Sequence, residues 1–372
     1  MTNDQMSIEE FLYEKIQSTK HNRISYARFM ETVLYHKTGY YQKEETKIGK
    51  DGDFYTSSSI HPVFAWVFAD YFDAYCKEKN LPIHICEVGG GDGSFSKQVL
   101  DYLKKTKPER YCDMFYSFID VSDDHLNKAK MNLALHESVE FHSSLEKFKQ
   151  HNEAFKGIIF SNELLDAFPV HVVEQREGKL HEVMLTMDEN RVMKELVIPT
   201  ECEEILKWFE WSGIVLPENH RFEVPLKMME WLSEIAGVLS EGLLITVDYG
   251  YKNEELLDPA LRNGSLRGYL DHQLIEDPLL HPGKMDLTTH IQLDSLVERG
   301  EEMGLCKHYL GKQKNFLLEN GLFDHLVEHN NHDPFSDENR LNRAIRSFVT
   351  PGGISDAFHV LIQEKCNSKK AD

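Results

Sequence analysis

The 372-residue sequence is poor in basic residues, because 41 lysine and arginine residues stand against 62 aspartate and glutamate residues. The formal net charge is −21. A surface with this excess of negative charge repels phosphate groups, so general binding to nucleic acid or to an anionic membrane surface is not expected. A cationic partner such as a basic peptide is compatible with the same charge, although the charge also serves solubility alone.

Cysteines are few, and none of the six forms a C-x-x-C pair. Their spacing resembles no metal site, so we expect no bound metal and predict buried, reduced thiols. No window approaches the ~18 consecutive apolar residues that a membrane-spanning helix requires, so no membrane span is expected. Residues 1–10 resemble neither a secretory signal nor an arginine-rich transit peptide, which predicts a cytoplasmic location.

The sequence does contain a glycine-rich turn between a predicted strand and a predicted helix. A short apolar run ends at Glu87, glycines follow at Gly89, Gly91 and Gly93, and a helical apolar stripe begins at Phe95. Glycine allows the unusual backbone angles of such a turn and has no Cβ to obstruct a ligand. The turn therefore predicts a site where a nucleotide-like ligand lies against bare backbone.

Polar residues end two further predicted strands. Asp120 ends the second strand, where a carboxylate can accept hydrogen bonds from the ribose hydroxyls of a nucleoside. Asn162, Glu163 and Asp166 follow a later buried strand. Open α/β sheets place their chemistry at the carboxyl ends of their strands, which favours a functional role for this cluster. Capping of a helix N-terminus is the alternative role.

Strands and helices alternate along most of the chain, which predicts an open α/β sheet with right-handed crossovers. Residues 170–224 change to a period-two alternation and predict an inserted antiparallel meander with a helix. Residues 1–78 predict a helical extension that includes a cofactor lid. The remaining core comprises 79–169 and 225–364, within which 252–289 is expected to be an irregular excursion on the substrate side.

The glycine spacing separates two classes of ligand. Dinucleotide-binding turns have the pattern G-x-G-x-x-G, whereas this turn reads E-x-G-x-G-x-G from Glu87 to Gly93. A carboxylate at the start of the turn would repel a pyrophosphate and suits a ligand with a sulfonium and an ammonium group, S-adenosylmethionine. With Asp120 ending the next strand, the turn resembles the first two motifs of class I methyltransferases. A nicotinamide enzyme is the alternative.

Further motifs narrow this resemblance to one family. They are, in chain order, Ile24-Ser25-Tyr26-x-x-Phe29-Met30, Gly39-Tyr40-Tyr41, Gly49-x-x-Gly52-Asp53-Phe54-x-Thr56, Ser161-Asn162-Glu163-Leu164-Leu165-Asp166-Ala167-Phe168-Pro169-Val170, Asp248-Tyr249-Gly250 and Asp277-Pro278-Leu279-x-x-Pro282-Gly283-x-x-Asp286-Leu287-Thr288. Together they resemble the MidA-like methyltransferase family, whose mitochondrial members are arginine methyltransferases that assist assembly of respiratory complex I. The sequence departs from the family pattern at Gly90, Asp92 and Gln292.

The resemblance implies a Rossmann-like class I methyltransferase sheet, S-adenosylmethionine as cofactor, and roles for individual residues. The implied cofactor site comprises Asp53, Phe54, Thr56, Glu87, Gly89, Gly91, Gly93, Asp120, Ser144, Leu145 and Asn162. The first three resemble the family's lid over the methionine end, and Ser144 with Leu145 would flank the adenine. The implied catalytic residues on the acceptor side are Asn162, Glu163 and Asp166.

An arginine acceptor suits carboxylates, which bind a guanidinium group through paired hydrogen bonds. The predicted partner is therefore a protein with an accessible arginine. For a hydroxyl or carboxyl acceptor on a small molecule, His171, His272 or His290 would be the candidate base. A cofactor-binding assembly factor with little turnover is the alternative from another functional class.

Overall fold

The computed structural model describes residues 6–42 and 61–366. The α-helices of these residues are α1 (Ile8–Gln17), α2 (Tyr26–Tyr35), α3 (Val63–Glu78), α4 (Ser94–Thr106), α5 (Pro108–Cys112), α6 (Asp123–Asn132), α7 (Leu145–His151), α8 (Glu203–Ser212), α9 (Leu226–Val238), α10 (Asn253–Leu256), α11 (Leu293–Glu302), α12 (Gln313–Glu319), α13 (Asp337–Val349) and α14 (Ile354–Ala357). The strands are β1 (Ile24–Ser25), β2 (His84–Val88), β3 (Phe115–Ile119), β4 (Val139–His142), β5 (Phe155–Asn162), β6 (His171–Arg176), β7 (Lys179–Met187), β8 (Met193–Pro199), β9 (Arg221–Val224), β10 (Leu239–Tyr251), β11 (Arg267–Leu270), β12 (Gln273–Ile275), β13 (Asp286–Thr288), β14 (Ile291–Gln292), β15 (Leu305–Lys312) and β16 (Phe358–Lys365).

The central sheet has the strand order β15-β16-β10-β5-β2-β3-β4, and β14 extends it beside the end of β10. Strands β10, β5, β2, β3 and β4 pair in parallel, whereas β16 pairs antiparallel with both β10 and β15. Helices cover both faces, so the central strands are apolar almost throughout, as Ile158, Ile159 and Phe160 on β5 illustrate. The predicted α/β fold with helices on both faces is confirmed.

Two apolar cores separate the sheet from its covering helices. On one face, α3 and α4 contribute a cluster of aromatic rings, in which Phe95 stacks on Phe160 at a centroid distance of 4.5 Å. On the other face, α9 and α11 pack through side chains such as Ile235 and Leu296. The sheet is therefore fixed from both sides, which makes the ends of its strands a rigid platform for a site.

The strand order reverses direction at β2. The chain moves outward from β2 to β3 and β4, then returns with β5 on the opposite side of β2. At such a switch point the loops after neighbouring strands diverge and leave a crevice at the carboxyl edge. This topology brings together the three segments that the sequence singled out, which follow β2, β3 and β5.

A second, antiparallel sheet is formed by β1, β7, β6 and β9, with β8 paired to β7. The predicted meander is present, although β9 was not predicted and β1 comes from the N-terminal extension. Helices α1 and α2 pack on this sheet in a shared core that includes Leu12, Phe29, Val183 and Leu185. The N-terminal extension and the inserted sheet therefore pack together, while the domain boundaries stay a prediction.

The excursion 252–289 is more regular than expected, because β11, β12 and β13 form a small antiparallel sheet. Its hairpin turns at Asp271 and His272, whose φ angles are 48° and 60°. Such a turn usually contains glycine or asparagine. The prediction of an irregular segment is wrong here, because Asp271 is followed by a histidine and the glycine that usually marks such a hairpin is missing.

The prediction that the cysteines are reduced thiols is wrong for one pair. Cys306 and Cys366 form a disulfide with a Cα–Cα distance of 5.9 Å, although 60 residues separate them in sequence. The antiparallel pairing of β15 with β16 brings the two together, and spacing alone carries no signal of it. Cys76 and Cys86 are buried thiols as predicted, whereas Cys112 is exposed.

Within 6–42 and 61–366, no helix is long and apolar enough to cross a membrane.

Candidate functional site

A cavity of about 820 Å³ lies at the carboxyl edge of the central sheet. The residues that follow β2, β3 and β5 form its floor, and helices α2 and α9 form its outer walls. Its position is the crevice that the strand reversal at β2 creates. A cavity of this size is typical of a site for a cofactor or a small-molecule ligand.

The glycine-rich loop after β2 lies close to its neighbours. A Cβ atom on Gly90 would lie 2.2 Å from Cε2 of Phe118, so no larger residue fits at that position. Gly91 has φ +60°, and its N–H donates to Oδ2 of Asp120 across 2.9 Å. The family's usual residue at position 90 is proline, and the contact with Phe118 accounts for a glycine in this chain.

Asp120 lies at the end of β3 and lines the cavity. Its Oδ1 accepts a hydrogen bond from the N–H of Ser122 across 2.8 Å, and the His125 imidazole lies 3.3 Å from the same oxygen. These contacts, with that from Gly91, hold the carboxylate at the cavity edge. A carboxylate has about four lone-pair directions, so capacity for ribose hydroxyls is left.

Glu87 also lines the cavity, but its carboxylate is buried. Its Oε2 accepts hydrogen bonds from the hydroxyls of Ser96 and Tyr116, the latter at 2.8 Å. Burial raises the pKa of Glu87 to about 7. The sequence prediction placed Glu87 beside the charged end of the cofactor, whereas its two hydroxyl partners tie it to α4 and β3.

Two predicted cofactor contacts lie away from the cavity lining. A Cβ on Gly93 would lie 3.1 Å from Ala129, so this glycine allows the loop to pack on α6. Ser144 caps α7 by accepting a hydrogen bond from the Lys147 N–H at 3.2 Å. The adjacent Leu145 does line the cavity, as do Gly89 and Gly91.

Asn162 and Glu163 line the cavity where β5 ends. Glu163 has φ +52°, an unusual backbone conformation for a residue with a side chain. The Asn162 amide donates to Glu163 Oε1 across 3.0 Å, which orients the two side chains together. Asn162 Oδ1 is buried and has no hydrogen-bond partner among the described residues. The pair thus offers acceptor oxygens to a ligand.

Asp166 is buried behind this pair and is absent from the cavity lining. It accepts a hydrogen bond from the Tyr249 hydroxyl, and burial raises its pKa to about 6. Asp248 lies beside it and accepts hydrogen bonds from the N–H groups of Leu165 and Asp166 at 2.9 and 3.3 Å. Asp166 was predicted to line the acceptor side, whereas its side chain lies outside the cavity lining and its contacts hold the turn after β5.

The three candidate histidines also lie outside the cavity lining. His171 pairs with Glu182 on the meander at 2.8 Å, and His272 lies in the β11–β12 hairpin. His290 is half-buried beside Arg267, and its loss of solvation lowers its pKa to about 3. The predicted lid residues Asp53, Phe54 and Thr56 lie outside the described residues.

Several cavity residues were missed by sequence reasoning. Tyr35 and Tyr41 contribute from the N-terminal region, and Trp231 contributes from α9. The Tyr35 hydroxyl donates to the Ala167 carbonyl at 2.9 Å, and the Tyr41 hydroxyl donates to Asp286 at 2.6 Å. Tyr41 belongs to a motif that the family resemblance contains, which could have signalled it. Trp231 reaches the cavity only through tertiary packing, so its sequence neighbourhood carries no such signal.

The family described as "Putative S-adenosyl-L-methionine-dependent methyltransferase" matches residues 64–310, more than half of the chain. The chain belongs to this family. Family membership confirms the prediction of a methyltransferase that uses S-adenosylmethionine.

The methyltransferase is also similar to individual proteins. It is 24% identical to the protein arginine methyltransferase NDUFAF7 homolog of Drosophila melanogaster, with 85% of this chain and 74% of that protein covered. Identity to the Homo sapiens protein arginine methyltransferase NDUFAF7 is 23%, with 84% and 72% covered. A Burkholderia thailandensis structure bound to S-adenosyl-homocysteine superposes with a TM-score of 0.85 at 23% identity, over 96% of this chain and 91% of that one. This likeness confirms the class I methyltransferase fold.

The residues of the cavity fit S-adenosylmethionine, which when bound supplies a methyl group already activated on a sulfonium. The loop at Gly89 to Gly91 presents backbone without side chains, and Leu145 presents an apolar surface. Asp120 offers carboxylate oxygens, and Asn162 offers a buried oxygen without a partner among the described residues. The chain's own contribution is to position groups and exclude water.

Proposed function

We propose that this methyltransferase transfers methyl groups to arginine side chains of a protein partner. One observation carries the proposal: Glu163 lies in the same cavity as the glycine-rich loop, and the Asn162 amide N–H donates to its Oε1 across 3.0 Å. The curated relatives named above as protein arginine methyltransferases support the same substrate class.

Glu163 is the residue best placed to bind the guanidinium group. A carboxylate accepts paired hydrogen bonds from a guanidinium, and this fixes which nitrogen points at the methyl donor. The Asn162 amide, which donates to Glu163 Oε1, orients that carboxylate. Methylation of an arginine nitrogen releases one proton, and a carboxylate at that nitrogen can accept it. Glu163 has a backbone φ of +52°, a strained conformation of the kind that clusters at functional sites.

Identification of the labelled acceptor tests the substrate class directly. The protein is incubated with a proteome and methyl-labelled S-adenosylmethionine, and labelled proteins are hydrolysed for amino-acid analysis. Methylarginine is the expected product. Label in another residue, or in small molecules alone, would instead favour a small-molecule O- or N-methyltransferase. Binding of the cofactor without S-adenosylhomocysteine production, in the presence of partners, would indicate an assembly factor.

Substitution of Glu163 by glutamine tests the assigned residue. We expect the rate of transfer to arginine to fall at least about a hundredfold, because the guanidinium loses both its charge partner and the proton acceptor. Cofactor affinity measured by calorimetry should change little. The exposed Glu153→Gln variant is the control and should retain full activity. Equal loss of cofactor affinity and transfer would contradict the role given to Glu163.

A further inference from the structure

The outer wall of the cavity carries a group of charged residues that the chemistry at Glu163 does not use. This group, the acceptor mouth, consists of Glu31 on α2 and of Lys227, Glu230, Trp231 and Glu234 on α9. The four residues of α9 are spaced three, four and seven positions apart, so they share one face of the helix. All five line the cavity that contains the glycine-rich loop.

The acceptor mouth holds three carboxylates and one ammonium group. Lys227 Nζ lies 2.8 Å from Glu230 Oε2, and this hydrogen bond with the nearby carboxylates of Glu31 and Glu234 raises the pKa of Lys227. Glu31 also pairs with Arg28 at 3.1 Å, and Glu234 with Lys149 at 3.3 Å. Neither of these cations lines the cavity, so its wall has more carboxylates than cations.

Trp231 provides an independent observation. Its side chain is only 8% exposed, and its indole N–H has no hydrogen-bond partner among the described residues. A buried donor without a partner costs free energy until an acceptor reaches it. The backbone carbonyl of a peptide is such an acceptor. Carboxylates and a free indole N–H together suit a ligand that carries both cations and carbonyl groups, as a basic polypeptide does.

We propose that the acceptor mouth binds a polypeptide segment with a second cationic side chain near the methylated residue. Lys227 is the resident cation of this surface, and the substrate's cationic side chain takes its place beside Glu230. This inference rests on the proposed function, because it concerns a peptide whose arginine enters the same cavity. It adds a determinant of specificity that lies outside the reacting groups.

Two substitutions should act in opposite directions on peptide binding. The probes are fluorescent peptides with one central arginine flanked by lysine or by glutamine, titrated in the presence of S-adenosylhomocysteine. Lys227→Met removes the competing cation, so the lysine-flanked peptide should bind about three- to tenfold more tightly. Glu230→Gln should weaken the same peptide by about the same factor. Binding of the glutamine-flanked peptide should change less in both variants.

The exposed pair Glu203 and Lys207 on α8, 3.1 Å apart, provides matched controls. Glu203→Gln and Lys207→Met should leave peptide affinity unchanged. Trp231→Phe keeps the aromatic ring and removes the N–H, so it should weaken both peptides about equally.

Opposite shifts in the two acceptor-mouth variants support the proposal, since a purely structural role would not produce them. Shifts in the same direction, no shift, or absence of peptide binding would overturn it. Methylation of an acceptor other than arginine would overturn the proposed function instead. The difference in affinity between the lysine-flanked and the glutamine-flanked peptide would still test the acceptor mouth by itself.

Discussion

Glu87 shows how burial changes the chemistry of a single residue. Ser96 and Tyr116 are its hydrogen-bond partners, and burial raises its pKa from 4.5 to about 7. A carboxyl group whose pKa is raised in the folded state stabilises the fold fully at pH values below its pKa in the unfolded chain. That stabilisation is lost as the pH rises through its pKa in the folded state.

The pH dependence of stability should therefore differ between the wild type and Glu87→Gln. Between about pH 4 and pH 8, the wild type should lose roughly 3 kcal/mol of unfolding free energy relative to the variant, because each pKa unit is worth about 1.4 kcal/mol. Denaturant unfolding at a series of pH values measures this difference. The exposed Glu137→Gln variant is the control. Parallel curves for wild type and Glu87→Gln would contradict the assignment.

Gly91 determines whether the cofactor can approach the loop. Valine at φ +60° is strained, and its side chain would occupy bare backbone at the cavity. Gly91→Val should lower the affinity for S-adenosylmethionine at least about tenfold by calorimetry, with the fold kept in circular dichroism. Gly178, at φ +70° with open space around it, gives a control with similar strain away from the site. Unchanged affinity in Gly91→Val would refute the location of the cofactor site.

At the scale of elements, the turn between β5 and β6 positions the acceptor residues. Asp248 at the end of β10 accepts hydrogen bonds from the N–H groups of Leu165, Asp166 and Tyr249. Asp166 in turn accepts one from the Tyr249 hydroxyl, and its carbonyl accepts one from Thr289 N–H at 2.8 Å. We expect these buried contacts to hold the turn that carries Glu163.

Asp248→Asn tests that positioning role. An amide cannot accept at all three N–H groups, so one of them loses its partner, at a cost of about 1–3 kcal/mol of stability. Because the turn then relaxes, kcat should fall at least about tenfold while cofactor affinity stays within about twofold. Asp188 on the meander accepts two backbone hydrogen bonds far from the cavity, so Asp188→Asn is the matched control. A loss confined to cofactor affinity would contradict the positioning role.

At the scale of the whole molecule, the N-terminal helices and the inserted sheet depend on each other. Phe29 on α2 is fully buried in the core that both regions share. The same helix supplies Glu31 and Tyr35 to the cavity. Loss of this core should therefore disturb the site as well as the insertion. The cytoplasmic location and the domain boundaries stay predictions from the sequence.

Phe29→Ala should lower the unfolding free energy by about 3–5 kcal/mol, the usual cost of removing a buried aromatic ring. Thermal unfolding followed by circular dichroism measures the change, and a single transition is expected if the shared core couples the regions. Phe323→Ala, at a side chain that is 51% exposed, is the control. A separate early transition would indicate that the extension and insertion unfold independently of the central sheet.

The sequence by itself determined the α/β sheet, the cofactor turn and the family. These features depend on local patterns: buried strands are apolar almost throughout, and the positive φ angles of Gly89 and Gly91 favour glycine whatever surrounds the loop. Asp120 and Asn162 were found for a related reason, since the carboxyl ends of parallel strands meet at one edge.

Only the tertiary structure decided which way side chains point and which distant segments meet. It turned Asp166 toward Tyr249 and away from the cavity, tied Glu87 to Ser96, and joined Cys306 to Cys366. It also brought the charged face of α9 to the cavity. These outcomes depend on packing between residues far apart in the chain, for which local periodicity carries no information.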